Sequence, residues 1–297
     1  MKYKGYILLA ITIAIFSTLE VVTSTLKGVV NPLQLTFIRF LIGGLVLLPI
    51  AIAKKEKLQR KDWLFFLGLG ALNIFVSMGS LQLSISMGKA STAAILISSN
   101  PIFVMLFSAL ILKEKATIDK ILCIILGIAG ISLIIYKGNS GGDTLTSLLL
   151  ALLASLTFGL YTVLGKLKSQ GVSSITMISL SSILGSLFYI PVLTYYKIPL
   201  FYIPQEAIFK VIYLSVFLSG IAYITYMEAL KILTASKGAM VFFLKPVIAS
   251  ILAIIFLGEV LSMKTVAGMI LVLIGIVINF VKINRKTDIN IKASTTG

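Results

Sequence analysis

The chain has 297 residues, of which 58% are hydrophobic and only 12% are charged, and its mean hydropathy is +1.08. Because charged residues make up about a quarter of an ordinary soluble domain, this composition excludes a water-soluble globular protein and indicates an integral membrane protein. The net charge of +16 would suggest nucleic-acid binding in a soluble protein. In a membrane protein its meaning depends on where the basic residues lie.

The chain contains one cysteine, Cys123, and no histidine. An intrachain disulfide is therefore excluded, and neither a cysteine-based nor a histidine-based zinc site is expected. The sequence predicts no metal and no cofactor.

Ten apolar runs have the length of about 20 residues that a membrane-spanning helix requires. Residues 1–16 resemble a signal peptide, but the apolar run continues past Glu20 without a small-residue cleavage site, so it is assigned to the first span. The loops between the runs are too short for a soluble domain. The predicted spans lie near residues 5–26, 32–53, 64–86, 90–112 and 118–136, and then near 145–166, 173–196, 208–230, 236–257 and 263–282.

The basic residues are distributed unevenly between the two sides of these spans. With a cytoplasmic N-terminus, eighteen of the 26 lysines and arginines fall on the inner side, six fall on the outer side, and Arg39 and Lys245 lie within spans. The positive-inside rule therefore predicts a multi-pass cell-membrane protein with both termini in the cytoplasm. Most of the net charge is thus an orientation signal, and no nucleic-acid partner is expected.

The two halves of the chain resemble each other at an offset near 145 residues. Residues 100–114 (NPIFVMLFSALILKE) align with residues 245–259 (KPVIASILAIIFLGE), and nearer the front of each half the offset is 142. This predicts one repeat over residues 1–138, a second over 139–284 and a cytoplasmic tail over 285–297. Since each repeat holds an odd number of spans, the second must enter the membrane inverted, as in many secondary transporters.

These features together resemble the drug/metabolite transporter superfamily, in the branch built from two EamA domains. The resemblance implies ten helices around a central cavity, with the third, fourth, eighth and ninth spans prominent in its lining. It also implies carrier transport of small metabolites, frequently amino acids and often outward. The residues that carry it are Ala90, Ser91, Pro101, Lys113 and Glu114 in the first half, and Ala235, Ser236, Pro246, Gly258 and Glu259 in the second.

Four charged residues fall inside predicted spans, where each costs a few kcal/mol near the bilayer centre and needs a partner or a wet cavity. Helix depth, at about 1.5 Å per residue, places Glu20 and Arg39 in the outer half and Glu228 and Lys245 in the inner half. Two ion pairs are therefore expected. They either hold the helices together or open to bind a zwitterion, and Glu228 is near enough to its helix end for simple solvation.

Polar residues and prolines supply the remaining site candidates. Asn73 and Ser77 share a face of the third span with Ser80 and Ser84, a pattern that fits either cavity lining or helix packing. Asn100 is a further substrate-binding candidate. Pro101 and Pro246, at corresponding positions, predict bends that serve as paired hinges or as cavity-lining kinks, because each removes a backbone hydrogen bond to the residue four positions earlier.

The function predicted is a secondary carrier that exports an amino acid or similar zwitterion by alternating access. A translocator of lipid-linked sugar or phosphate and a drug efflux carrier remain as alternatives. An enzyme is disfavoured, since the sequence lacks intramembrane aspartates, a histidine and a P-loop. Glu114 and Glu259, at helix ends, are not assigned to the site. Glycines of the fifth and tenth spans suit either packing within the chain or a homodimer, and these are Gly127, Gly130, Gly268 and Gly275.

Overall fold

The structure is a computed structural model that describes residues 2–114, 118–135, 142–169, 171–261, 263–264, 266–271 and 273–274. Eight helices in these ranges are long and apolar enough to cross a membrane, and a further helix of 18 residues, α5, spans Ile118–Ile135. The eight are α1 (Tyr3–Ser24), α2 (Pro32–Ala53), α3 (Arg60–Met87), α4 (Ala90–Ile111), α6 (Leu145–Lys168), α7 (Ser174–Tyr195), α8 (Gln205–Ile232) and α9 (Ala235–Leu257).

These eight helices confirm the corresponding predicted spans, with ends that agree to within a few residues. Most of the predicted tenth span, near 263–282, and the whole predicted tail, 285–297, lie outside the described residues. The total of ten spans and their inverted arrangement therefore stay predictions.

Local sequence explains where several helices begin. The Asn31 side chain accepts hydrogen bonds from the backbone N–H groups of Leu33 and Gln34 and is followed by Pro32, a residue suited to the first helical position. Thr144 and Ser173 cap the starts of α6 and α7 in the same way. Each cap satisfies backbone donors at a helix start, which fixes the end of the span.

Three of the helices are interrupted near their middle. Helix α1 breaks at Ser17 and Thr18, α4 breaks at Ser98 and Ser99, and α9 passes through a 3-10 segment over Met240–Phe243. The regular helix resumes at Asn100–Ile111 in α4 and at Lys245–Leu257 in α9, each time with a proline as its second residue. The interruptions thus lie just before Pro101 and Pro246, where bends are predicted from the sequence, and the bends and any movement about them stay predictions.

Asn100 compensates for the hydrogen bond that Pro101 cannot donate. Its side-chain Nδ2 donates to the backbone oxygen of Ile97 at 2.9 Å, which is the carbonyl that an N–H at position 101 would have reached. The side chain next to Pro101 in the sequence thus stabilises the break in α4.

Helices α3 and α8 each contain a π-helical segment, over Ala71–Met78 and Leu214–Ile221 respectively. Segments of this kind are frequent at functional sites. The regular α-helical spacing on which the polar face from Asn73 to Ser84 was predicted therefore does not hold through its first part. Asn73, Ser77, Ser80 and Ser84 are nevertheless all buried.

Close contacts between small residues hold several neighbouring helices together. Gly70 of α3 meets Gly185 of α7 so closely that a Cβ atom at position 185 would lie 2.6 Å from the Gly70 carbonyl oxygen. On α2, Gly43 packs against the backbone of Ser215 in α8. Small residues at such crossings allow helices in a membrane to approach one another.

We predict that Gly185→Ala lowers the stability of the protein by about 1–3 kcal/mol, because the added methyl group meets backbone that cannot rotate away. Gly68→Ala is the matched control, since Gly68 is exposed on α3 and a methyl group added there would meet no atom within 4 Å. Thermal unfolding of the purified protein in detergent measures both. Equal melting temperatures for the two variants would contradict the prediction.

Candidate functional site

Three of the four charged residues predicted inside spans are buried, and the fourth is not. Glu20, Arg39 and Lys245 are at most 2% exposed, whereas the Glu228 side chain is 40% exposed and lies 2.9 Å from Lys231 on the next turn. The Lys245 ammonium contacts Glu20 Oε1 at 2.5 Å. The predicted pairing of Glu20 with Arg39 and of Glu228 with Lys245 is therefore wrong.

The physical reason is that depth along a helix does not determine which helices are neighbours. Lys245 lies near the middle of α9, where the regular helix Lys245–Leu257 begins. This segment packs against the second part of α1, Leu19–Ser24, which contains Glu20. Glu228 lies one turn from the end of α8 and forms its ion pair with the nearby Lys231 instead.

Arg39 is buried without a carboxylate partner among the described residues. Its guanidinium carbon lies 4.7 Å from the centre of the Phe40 ring, and Tyr223, Tyr189 and Glu20 also interact with it electrostatically. Its Nε has no hydrogen-bond partner in the part of the chain described here. A buried cation in this state has unused capacity to bind an anion.

Aromatic rings from five helices surround this point. Tyr223 packs edge-to-face against Phe16 at 5.3 Å, against Phe40 at 5.8 Å and against Tyr161 at 6.0 Å between ring centres. Phe242 packs against Tyr226 at 5.1 Å. The rings supply a rigid wall in which phenol hydroxyls are the polar elements.

Several buried polar atoms in this region make no hydrogen bond to any described residue. Tyr223 neighbours Asn73 and interacts electrostatically with Arg39, and Tyr226 neighbours Thr162, but neither tyrosine hydroxyl has a hydrogen-bond partner among the described residues. Since buried polar atoms are normally bonded, such a cluster marks a place for water or a solute. The atoms are Tyr223 Oη, Tyr226 Oη, Asn73 Oδ1, Asn100 Oδ1, Thr162 Oγ1, Glu20 Oε2 and Arg39 Nε.

We call the group formed by Glu20, Arg39, Asn73, Tyr223, Tyr226 and Lys245 the central site. The structure brings together four of the predicted residues here, namely Glu20, Arg39, Asn73 and Lys245. The sequence analysis did not identify either tyrosine. The signal that could have identified them is position, since both lie within α8, nine and six residues before its end at Ile232, and both are buried.

The other predicted residues have structural contacts. Ser77 donates a hydrogen bond to the carbonyl oxygen of Ala154 in α6 at 2.8 Å, which is the helix-packing alternative. Asn100 uses its amide nitrogen on Ile97, and its Oδ1 is one of the unbonded atoms. Pro101 and Pro246 are buried at the starts of their helical segments.

Buried charged and polar groups inside a bundle of apolar helices are typical of membrane proteins that move solutes or ions. The chain matches the EamA-like transporter family over residues 3–136 and 145–281. It belongs to this family, as the repeated sequence pattern predicted, and it is a membrane transporter.

Individual proteins agree with this assignment. An uncharacterized transporter of Clostridium kluyveri is 32% identical, with 99% of this chain and 98% of that protein aligned. The uncharacterized transporter YvbV of Bacillus subtilis is 30% identical over 82% of this chain and 81% of its own length. A protein of known crystal structure, 18% identical, has the same fold, with a TM-score of 0.73 over 96% of this chain and 99% of that one.

We predict that Glu20→Gln destabilises the protein by about 3–5 kcal/mol, because it leaves the Lys245 ammonium buried without its counterion. Adding Lys245→Met, which removes the uncompensated charge and keeps the volume, should restore most of that loss. Glu228→Gln is the matched control, and loss of its exposed pair with Lys231 should cost no more than about 0.5 kcal/mol. Unfolding in detergent measures the cycle, and additive effects at positions 20 and 245 would contradict a coupled pair.

Proposed function

We propose that the protein is a secondary carrier that moves a small solute with one carboxylate and one amino group, such as an amino acid, across the cell membrane. The observation that carries this proposal is the buried Arg39 guanidinium, which has no carboxylate partner among the described residues. A free carboxylate is the natural ligand for a guanidinium in a site shielded from water.

A carboxylate oxygen of Glu20 in the same site, which has no hydrogen-bond partner among the described residues, supports the proposal that the substrate carries an amino group. Glu20 has one oxygen on Lys245, while its second oxygen, Oε2, is buried without a hydrogen bond to a described residue. A substrate ammonium would satisfy this oxygen, and aromatic rings nearby would stabilise the positive charge. A donor for a carboxylate and an acceptor for an amine thus lie in one aromatic-walled region.

The balance of charge differs from the one inferred from the sequence. Within the described part of the bundle the central site contains two cations, Arg39 and Lys245, and one carboxylate, Glu20. Glu228 is not a second carboxylate of this site, because it lies near the end of α8 and pairs with Lys231. Lys245 is held by Glu20, so Arg39 alone is available for an anion. One available cation suits a single carboxylate better than a phosphate dianion, which disfavours the lipid-linked sugar or phosphate alternative.

The carrier is proposed to work by alternating access, with ten helices in two inverted repeats and both termini in the cytoplasm. The paired interruptions in α4 and α9 and the paired π-helical segments in α3 and α8 support equivalent roles for the two halves. Export is the proposed direction, in keeping with the resemblance noted from the sequence.

Transport into proteoliposomes preloaded with unlabelled amino acids tests the substrate class. We expect labelled amino acids to exchange, and amino-acid amides, which lack the carboxylate, to compete at least about tenfold more weakly. Competition by sugar phosphates instead would favour the phosphate alternative, and competition by amides equal to that by amino acids would reject the role of the carboxylate.

Arg39→Gln should weaken substrate binding by about tenfold to a hundredfold, the range expected for a lost charge-assisted hydrogen bond. Arg60→Gln is the matched control, because Arg60 is exposed at the start of α3. Concentration dependence of exchange gives the apparent affinity of each variant. Unchanged affinity in Arg39→Gln would contradict the proposal.

Two buried tyrosines give an independent test that separates binding from stability. Tyr223→Phe removes a hydroxyl that has no hydrogen bond within the described residues, so affinity should fall severalfold while the melting temperature stays close to wild type. Tyr189→Phe removes a hydroxyl that donates to the Ile74 carbonyl at 2.9 Å, so stability should fall by about 1 kcal/mol with affinity nearly unchanged. The reverse pattern would show that Tyr223 is structural.

A further inference from the structure

Two glutamates outside the central site make equivalent contacts at opposite ends of the helix bundle. Glu259, just after α9, accepts hydrogen bonds from the backbone N–H groups of Ala90 at 2.8 Å and Ser91 at 3.1 Å, and from the Ser91 hydroxyl. Glu114, just after α4, accepts a hydrogen bond from the Ser236 hydroxyl at 2.6 Å. Helices α4 and α9 are equivalents in the two repeats. The glutamate that follows α9 binds the start of α4, and the glutamate that follows α4 binds the start of α9.

The two contacts are crossed between the halves of the chain. Ser91 aligns with Ser236, and Glu114 aligns with Glu259, in the same register that defines the sequence repeat. The glutamate of the second half closes onto the first half at one end, and the glutamate of the first half closes onto the second half at the other. Both serines are buried, at 0% and 3% exposure.

A lysine reinforces each contact in the same way. At one end, Lys27 Nζ donates to the carbonyl oxygen of Gly88, in the turn that leads into α4, at 2.6 Å. At the other end, Lys166 Nζ donates to the carbonyl oxygen of Leu233, in the turn that leads into α9, at 2.5 Å. We refer to these as the Lys27 end and the Lys166 end.

The Lys27 end has additional contacts between the halves. Asp143 accepts from the backbone N–H of Lys89 at 2.8 Å and from the Thr92 hydroxyl at 2.7 Å. The Lys89 ammonium donates to the carbonyl oxygen of Val260 at 3.2 Å. All of these bonds join the first turn of α4 to segments of the second half.

We propose that Glu259 with Ser91, and Glu114 with Ser236, are the latches of two gates that open alternately during transport. Each latch joins one half of the chain to the other at one end of the central site, so that end opens when the bonds break. Both latches are formed in this structure. Glu114 and Glu259 are positioning residues, since they control access to the site without being part of it. The inference deepens the proposed carrier function, on which it rests.

The latches suit this role because each consists of strong hydrogen bonds that are confined to one end of the bundle. Bonds from hydroxyl and N–H groups to a carboxylate are charge-assisted, and removing one changes a two-state equilibrium by about tenfold to a hundredfold. A ligand or substitution that acts on one end can therefore shift the population without unfolding the bundle.

Accessibility of a central thiol tests the proposal. Cys123 is the single native cysteine, so a Cys123→Ser background carrying Ser17→Cys provides one reporter. Ser17 is buried in the break of α1, and its hydroxyl makes no hydrogen bond to a described residue, so the replacement breaks none. A membrane-impermeant charged maleimide is applied to intact cells and to inverted membrane vesicles, which present opposite faces.

Glu259→Gln should raise the labelling rate from the face at the Lys27 end by at least about tenfold and lower it from the other face. Glu114→Gln should give the mirror image, so each variant is the control for the other. Glu206→Gln, at an exposed position near the Lys27 end, should leave both rates unchanged. Equal changes at both faces, or no change in either glutamate variant, would overturn the proposal.

Ser91→Ala and Ser236→Ala provide a second pair if a glutamate variant does not fold, because each removes one hydroxyl from one latch. They should shift labelling in the same directions by a smaller factor, and unchanged labelling in both would also overturn the proposal. Labelling needs no transported solute. Failure of the amino-acid exchange assay and failure of the latch proposal are therefore distinguishable.

Discussion

The ion pair between Glu20 and Lys245 is the interaction on which the centre of this protein depends. Both charges lie in helices that must cross a lipid bilayer, and neither is more than 2% exposed. A single buried charge would strongly oppose insertion, whereas the pair joins α1 to α9 at the level of the site. This commitment of Lys245 leaves Arg39 as the available cation in the described part of the site, and the proposed recognition of a substrate carboxylate rests on Arg39.

Helix interruptions are the second structural theme, and they have a common physical origin. A broken helix leaves backbone groups without partners, which is tolerated inside a membrane protein only where other groups bond them or a cavity lies nearby. In α4 the side chain of Asn100 donates the hydrogen bond that the carbonyl of Ile97 would otherwise lack. The breaks in α1 and α9 directly precede Glu20 and Lys245, the two residues of the buried ion pair, and discontinuous helices of this kind are typical of transporter binding sites.

Much of the architecture follows from sequence, because apolar length is a direct consequence of bilayer thickness. Eight spans and the burial of Glu20, Arg39 and Lys245 were predicted correctly on this basis. The pairing of those charges was wrong because it depends on which helices are neighbours, and depth along a helix does not determine that. The π-helical segments have no comparable signal in the sequence. Likewise, the repeat identified Ser91 and Ser236 as equivalents, and Glu114 and Glu259 as equivalents, but alignment does not reveal that each serine meets the other half's glutamate.

The crossed contacts at the two ends have a consequence for how the protein is made. Ser91 and Glu259 are separated by 168 positions, so the start of α4 emerges from the ribosome long before the carboxylate that caps it. During that interval the N–H groups of Ala90 and Ser91 lack the carboxylate that binds them in the finished fold, although Lys27, which bonds Gly88 at the same end, is already present. The bonds from Glu259 form only after α9 has been synthesised, so a chain that stops before Glu259 lacks them.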